Sequence, residues 1–179
     1  NEVAVETFNM TGQFEDVNVL GLEPYENLTN CTAAPYASYL LKKENMTDMD
    51  LQNAKDLIRM SEDQFTFWDI VPNEHGVKRF AAPCVVEQYK YWTPVDASAH
   101  NVSMAFLNLY EATGDQLAFA KAKALIDNMT IVQNKCSGQM PTTWDLRSPE
   151  RELRRTFWTN CTWASVTALL RMAELTGQE

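Results

Sequence analysis

Three stretches of this chain begin alike and end alike, about 65 residues apart, and that repetition limits the fold more than any single motif does. The first runs from Asn30-Cys31-Thr32 to Glu44-Asn45-Met46-Thr47-Asp48. The second runs from His100-Asn101-Val102-Ser103 to Glu111-Ala112-Thr113-Gly114-Asp115, and the third from Asn160-Cys161-Thr162 to Glu174-Leu175-Thr176-Gly177-Gln178. Each opens on Asn-x-Ser/Thr and passes through apolar residues before closing on Glu and a Thr or Gly. Two further matches follow the first two copies in the same order. Ala54-Lys55-Asp56-Leu57-Ile58 pairs with Ala122-Lys123-Ala124-Leu125-Ile126, and Phe67-Trp68-Asp69-Ile70 pairs with Thr143-Trp144-Asp145-Leu146. The period is longer than that of the common two-helix solenoid repeats.

The hydrophobic pattern assigns a helix to each opening stretch. Val102, Met104, Ala105, Phe106, Leu107 and Leu109 leave little polar face, so this helix is expected to be buried all round. The element after it is amphipathic, with Leu117, Ala120, Ala124 and Leu125 expected inward and Lys121 and Lys123 outward. Gly114 ends one helix and Asp115 caps the next. The expected fold is all-α: helical hairpins, each an inner and an outer helix, joined by long irregular loops over about 61–96 and 131–157. A short strand is expected within Ala82-Pro83-Cys84-Val85-Val86. Residues 1–29 read as an irregular lead-in and 30–179 as the hairpin domain. The third inner helix has no outer mate before Glu179, so its cover is expected from the lead-in or from polypeptide outside this sequence.

Charge narrows the partners. A net charge of −9 argues against nucleic acid and anionic membranes and fits a neutral ligand. No run approaches the ~20 apolar residues of a membrane helix. Cys31, Cys84, Cys136 and Cys161 form no C-x-x-C pair and read as small buried thiols, with disulfides left open. No His-rich metal pattern, Gly-rich phosphate loop or Ser-His-Asp arrangement is present, so neither metal nor cofactor is expected. Asn-x-Ser/Thr stands at Asn9, Asn27, Asn30, Asn45, Asn101, Asn128 and Asn160, more often than chance gives. Capping explains much of this, because Asn and Thr gather at helix ends. In a secreted protein several of these sites would be glycan acceptors. The expected location is extracytoplasmic, secreted or periplasmic, with any leader already removed.

Leu109-Tyr110-Glu111-Ala112-Thr113-Gly114-Asp115 followed by Ala120-Lys121-Ala122-Lys123-Ala124-Leu125, and then by a Trp-containing loop, resembles the hairpin turns of the α/α-toroid, or six-hairpin, superfamily. That superfamily includes glycoside hydrolases, polysaccharide lyases and sugar 2-epimerases. The resemblance covers residues 30–179 and implies part of an (α/α) toroid, two and a half hairpins of six. It also implies a sugar cleft built by the loops that enter the inner helices. The remainder of a larger toroid, or a second chain completing it, is an implied partner.

The segment from Glu87 to His100 packs two carboxylates, three aromatics and a His into one loop and helix start. Glycoside hydrolysis needs two carboxylates flanking the scissile bond. Glu87, Asp96 and Asp145 are the catalytic candidates. Asp96 also fits a helix cap, Glu87 a salt bridge with Lys78, Arg79 or Lys90, and Asp145 a repeated turn-capping role beside Trp144. Trp68, Tyr89, Tyr91, Trp92, Trp144 and Trp158 are candidate platforms for the C–H faces of a sugar, although single Trp residues more often pack in a core. Arg147 is a candidate clamp on a sugar hydroxyl or carboxylate, or a surface ion pair with Glu150 or Glu152. His100, one turn into an inner helix, is a candidate acid/base group or a satisfied buried His. The leading expectation is a carbohydrate-active protein, a glycoside hydrolase acting on a neutral glycan. The alternatives are a sugar 2-epimerase-like isomerase using His100 and a non-catalytic module that binds glycan or protein.

Overall fold

Thr47 starts the best-defined helix of the chain. Its hydroxyl accepts the Asp50 N–H at 3.1 Å, while the Asp50 carboxylate accepts the Thr47 N–H at 2.9 Å, a reciprocal capping box. Lys43 adds its ammonium to the same carboxylate at 2.7 Å. The Lys43 hydrogen bond first, and the Thr47 backbone and hydroxyl after it, hold the Asp50 carboxyl down from 3.8 to about 2. The computed structural model describes residues 33–69, 83–86, 96–141 and 159–177. Among these there are five helices: α1 (Ala33–Leu41), α2 (Asp48–Phe65), α3 (Asp96–Thr113), α4 (Gln116–Val132) and α5 (Thr159–Thr176). Two short strands, β1 (Thr66–Phe67) and β2 (Cys84–Val85), pair antiparallel, with Thr66 opposite Val85 and Phe67 opposite Cys84. The described part is therefore mostly helical, as the periodicity predicts. None of its helices is long and apolar enough to cross a membrane.

The core centres on α3, against which α1, α2, α4, α5 and β2 all pack. Val102, Ala105, Phe106, Leu107 and Leu109 are buried on several sides of this helix, in line with its all-round apolar sequence. Its exit follows the sequence rule. The Gly114 N–H donates to the Tyr110 carbonyl at 2.7 Å in a left-handed turn with φ +74, which a residue without a Cβ adopts at no steric cost. Asp115 then caps α4, accepting the Leu117 N–H at 2.9 Å and the Ala118 N–H at 3.4 Å. The turn brings the Tyr110 and Phe119 rings to 4.9 Å and lays α4 back along α3.

Two details differ from expectation. The inward stripe of α4 is Ala118, Ala122, Leu125, Ile126 and Met129, whereas Leu117 and Ala120 are exposed. Lys121 is turned inward rather than outward. Its ammonium pairs with Glu62 of α2 and lies 5.5 Å from the Trp68 ring and 5.4 Å from that of Phe106. An ion pair to another helix, together with two aromatic faces, outweighs the local preference of a Lys for solvent. The second difference is length. Helix α2 runs on to Phe65, five residues into the expected loop, because Ser61 and Phe65 continue its buried stripe of Ala54, Leu57 and Ile58. The strand expected near residues 82–86 is present as β2; its partner β1 has no signal in the sequence.

Candidate functional site

Helices α3 and α5 run parallel, as two contacts at opposite ends show. Near their starts, the His100 ring lies close against the backbone of Ala164. Near their finishes, Arg171 pairs with Glu111 and reaches Glu174 at 2.6 Å. Sequence offsets of 64 and 60 at the two contacts describe parallel neighbours almost level with each other. The starts of α3 and α5 therefore lie at one end of the bundle, and this end is the candidate site.

His100 is the best-defined group there. It is half-buried in the second turn of α3, and its Nδ1 is shut off from solvent with no hydrogen-bond partner among the described residues. Desolvation pushes its pKa below 6.5, while the Ala164 backbone pulls partly the other way, so neutral imidazole is favoured. Around it, Ser98 and Ala99 are buried, and the Ser103 hydroxyl donates to the Ala99 carbonyl at 2.7 Å.

The chain leading toward α5 is tied to the same end. The Met140 N–H donates to the Thr162 hydroxyl at 3.1 Å in the first turn of α5, and Met140 itself is buried. Before it, Asn134 closes a turn by accepting the Cys136 and Ser137 N–H groups at 2.9 and 3.0 Å. On the other side, the Asn128 side chain of α4 donates to the Pro83 carbonyl, and the Val86 N–H donates to the Phe65 carbonyl at 2.9 Å. Neither Thr162 nor Asn128 stands out in the sequence as a tether, since both lie inside Asn-x-Ser/Thr triplets that read as caps or acceptors.

The expected site residues divide as follows. Asp96 is the first residue of α3, with its carboxylate outside the described atoms. His100 lies one turn further on. Trp68 packs tilted on Phe106, ring centroids 6.1 Å apart, beside Lys121. Phe106 is six residues, ~9 Å of helix axis, from His100. The two neighbours of Trp68, Phe106 and Lys121, line a different feature, a groove of about 340 Å³ between α2 and α4 that also takes in Leu109. The cation at the inner edge of that groove, Lys121, is already matched by Glu62. Glu87, Tyr89, Tyr91, Trp92, Asp145, Trp144, Arg147 and Trp158 lie outside the described residues. Among the described residues no three His, Cys, Asp or Glu side chains gather as metal ligands.

No known family model matches the chain, and no curated protein matches it.

Proposed function

We propose that the chain is part of an (α/α) toroid and acts as a glycoside hydrolase on a neutral glycan. Its site lies at the end of the bundle where α3 and α5 begin. The observation that carries this reading is the parallel pairing of these two helices, with α4 folded back along α3 and the α1–α2 hairpin on α3's other flank. In a ring of hairpins, inner helices stand side by side and parallel, and the segments entering them share one rim. Glu87, Asp145 and most of the candidate aromatics lie in 87–95 and 142–158, the segments that precede α3 and α5, and Asp96 is the first residue of α3. Two carboxyl groups flanking a glycosidic bond supply the acid and the base. A separation of ~5–5.5 Å corresponds to retention and ~6.5–9.5 Å to inversion. The net charge of −9 favours an uncharged substrate over a polyanion.

A partial ring also accounts for α5. Helix α3 has α1 on one flank and α5 on the other, whereas α5 presents Trp163 and Leu170 to solvent. The remainder of the ring, from further polypeptide or a second chain, is the partner this reading assigns to that flank. The test is release of reducing ends from a panel of neutral oligo- and polysaccharides, with Glu87→Gln, Asp96→Asn and Asp145→Asn measured beside the wild type. The acid and base variants should lose roughly 10²–10⁴-fold in kcat while glycan binding is kept. Wild-type turnover in all three amides would sink the assignment.

A further inference from the structure

Seven of the chain's thirteen asparagines are followed two residues later by Ser or Thr, where the chain's 23 Ser and Thr residues would give roughly two by chance. The structure separates these triplets. Asn128 is 3% exposed and spends its side-chain N–H on the Pro83 carbonyl, and Asn101 is half-buried inside α3. A glycan on the Asn128 nitrogen would displace the tether to residue 83. Asn45 is different. It lies in the turn between α1 and α2, exposed, with no side-chain hydrogen bond among the described residues. The residue after it, Met46, packs against the core and fixes the turn, so that the side chains on either side of it, Asn45 and Thr47, are both exposed. Phe65, whose carbonyl holds the strand leading to Glu87, is at the far end of α2, ~27 Å of helix axis away.

We infer that Asn45 is an acceptor for an N-linked glycan. The donor class is an oligosaccharide on a polyprenyl diphosphate. The Asn45 amide nitrogen bonds to the anomeric carbon as that carbon's bond to the diphosphate oxygen breaks. Polyprenyl diphosphate leaves, and the amide proton passes to a base of the transferring enzyme, with no change in oxidation state. The inference is independent of the hydrolase reading; it requires passage through a glycosylating secretory route, and the modification stays compatible with the fold because Asn45 contributes nothing to the cap that starts α2. That cap is made by Thr47 and Asp50.

The test is expression of the full chain behind a secretory leader in a eukaryotic host, with intracellular and secreted protein pooled. Peptide mass spectrometry follows, after enzymatic glycan removal that converts each linked Asn to Asp. Most Asn45 should carry the conversion, while Asn128 in folded protein carries none. Thr47→Ser keeps both acceptor triplet and cap and should keep the glycan. Thr47→Asn keeps a neutral capping side chain but destroys the triplet, so the glycan should vanish with the melting temperature little changed. Unconverted Asn45 in the pooled wild type overturns the inference, and so does a mass shift at this peptide that survives Thr47→Asn.

Discussion

Helices α3 and α5 carry the same kind of sequence into different surroundings. Counted back from the glycine that ends each helix, Gly114 and Gly177, the α3 residues His100, Ser103 and Leu107 fall at the positions of Trp163, Val166 and Leu170 in α5. In α3 this stripe runs between the two contacts with α5, and Ser103 and Leu107 are fully buried. In α5 the same stripe is open, Trp163 at 73% and Leu170 at 60% exposed. The opposite stripes agree. Ser98, Val102 and Ala105 in α3, and Cys161, Ser165 and Ala168 in α5, are all buried, and their small side chains let a neighbouring helix approach closely. An apolar helix is thus half of a specification. The other half is a neighbour on each flank, which α3 has and α5, among the described residues, has on one flank alone.

The sharpest test of this comparison is one substitution made in both helices. Leu107→Ala removes a fully buried side chain at the centre of the α3 contacts and should cost about 3 kcal/mol of unfolding free energy. Leu170→Ala, at the matching position of α5, should stay within about 0.5 kcal/mol. Denaturant titration of the two variants measures both. Equal losses would mean that the α5 stripe is covered in solution, and the contrast drawn between the helices would fall.

A smaller effect belongs to the turn that gives α3 its return helix. Gly114 has φ +74 with nothing within 4 Å of where a Cβ would stand, so Gly114→Ala costs conformational strain alone, about 1 kcal/mol. Asp115→Ala, which strips the cap from α4, should cost a further ~1 kcal/mol. Gly177 shares the left-handed conformation at φ +67, and Gly177→Ala should cost less than half as much as Gly114→Ala. The exposed last turn of α5 can unwind without disturbing any counterpart of the Tyr110–Phe119 contact. Thermal melts of the three variants rank them; a Gly177→Ala loss matching that of Gly114→Ala would show the end of α5 to be as firmly held as that of α3.

These differences also mark what could be read from the chain. The helical class, the α3–α4 turn and the burial of α3 follow from local signals: period, a positive-φ Gly, a capping Asp. The inward face of α4 does not. Leu117, Ala118, Phe119, Ala120, Ala122, Ala124, Leu125 and Ile126 make the helix apolar on too many sides for hydrophobicity to single out one stripe. The rotation adopted buries Ala118, Ala122, Leu125, Ile126 and Met129 and brings Lys121 to Glu62, a partner 59 residues away. Trp68 is a similar case, since its packing on Phe106 depends on how two hairpins meet. At the candidate site, the placement of Asp96 and His100 at the start of α3 was legible. The tie between Thr162 and Met140 was not, because a hydroxyl holding a backbone N–H across 22 residues leaves no pattern in sequence.

The smallest effect separates His100 from its α5 counterpart, Trp163, which does not titrate. Burial holds the His100 pKa below 6.5, with the Ala164 backbone acting in the opposite direction. The unfolded chain therefore takes up its proton first as pH falls. The contribution to stability is complete above 6.5 and is lost progressively as pH drops from there toward the lowered folded value. Asp50, held to about 2, titrates well below this interval and does not confuse it. The melting temperature of the wild type should fall between about pH 7 and 5.5, and His100→Gln should flatten that fall. The chain has two His residues, so His75→Gln is the control and should leave the fall in place. If His75→Gln flattens the curve and His100→Gln does not, the proton is taken up elsewhere, and the α3–α5 contact at Ala164 is indifferent to pH.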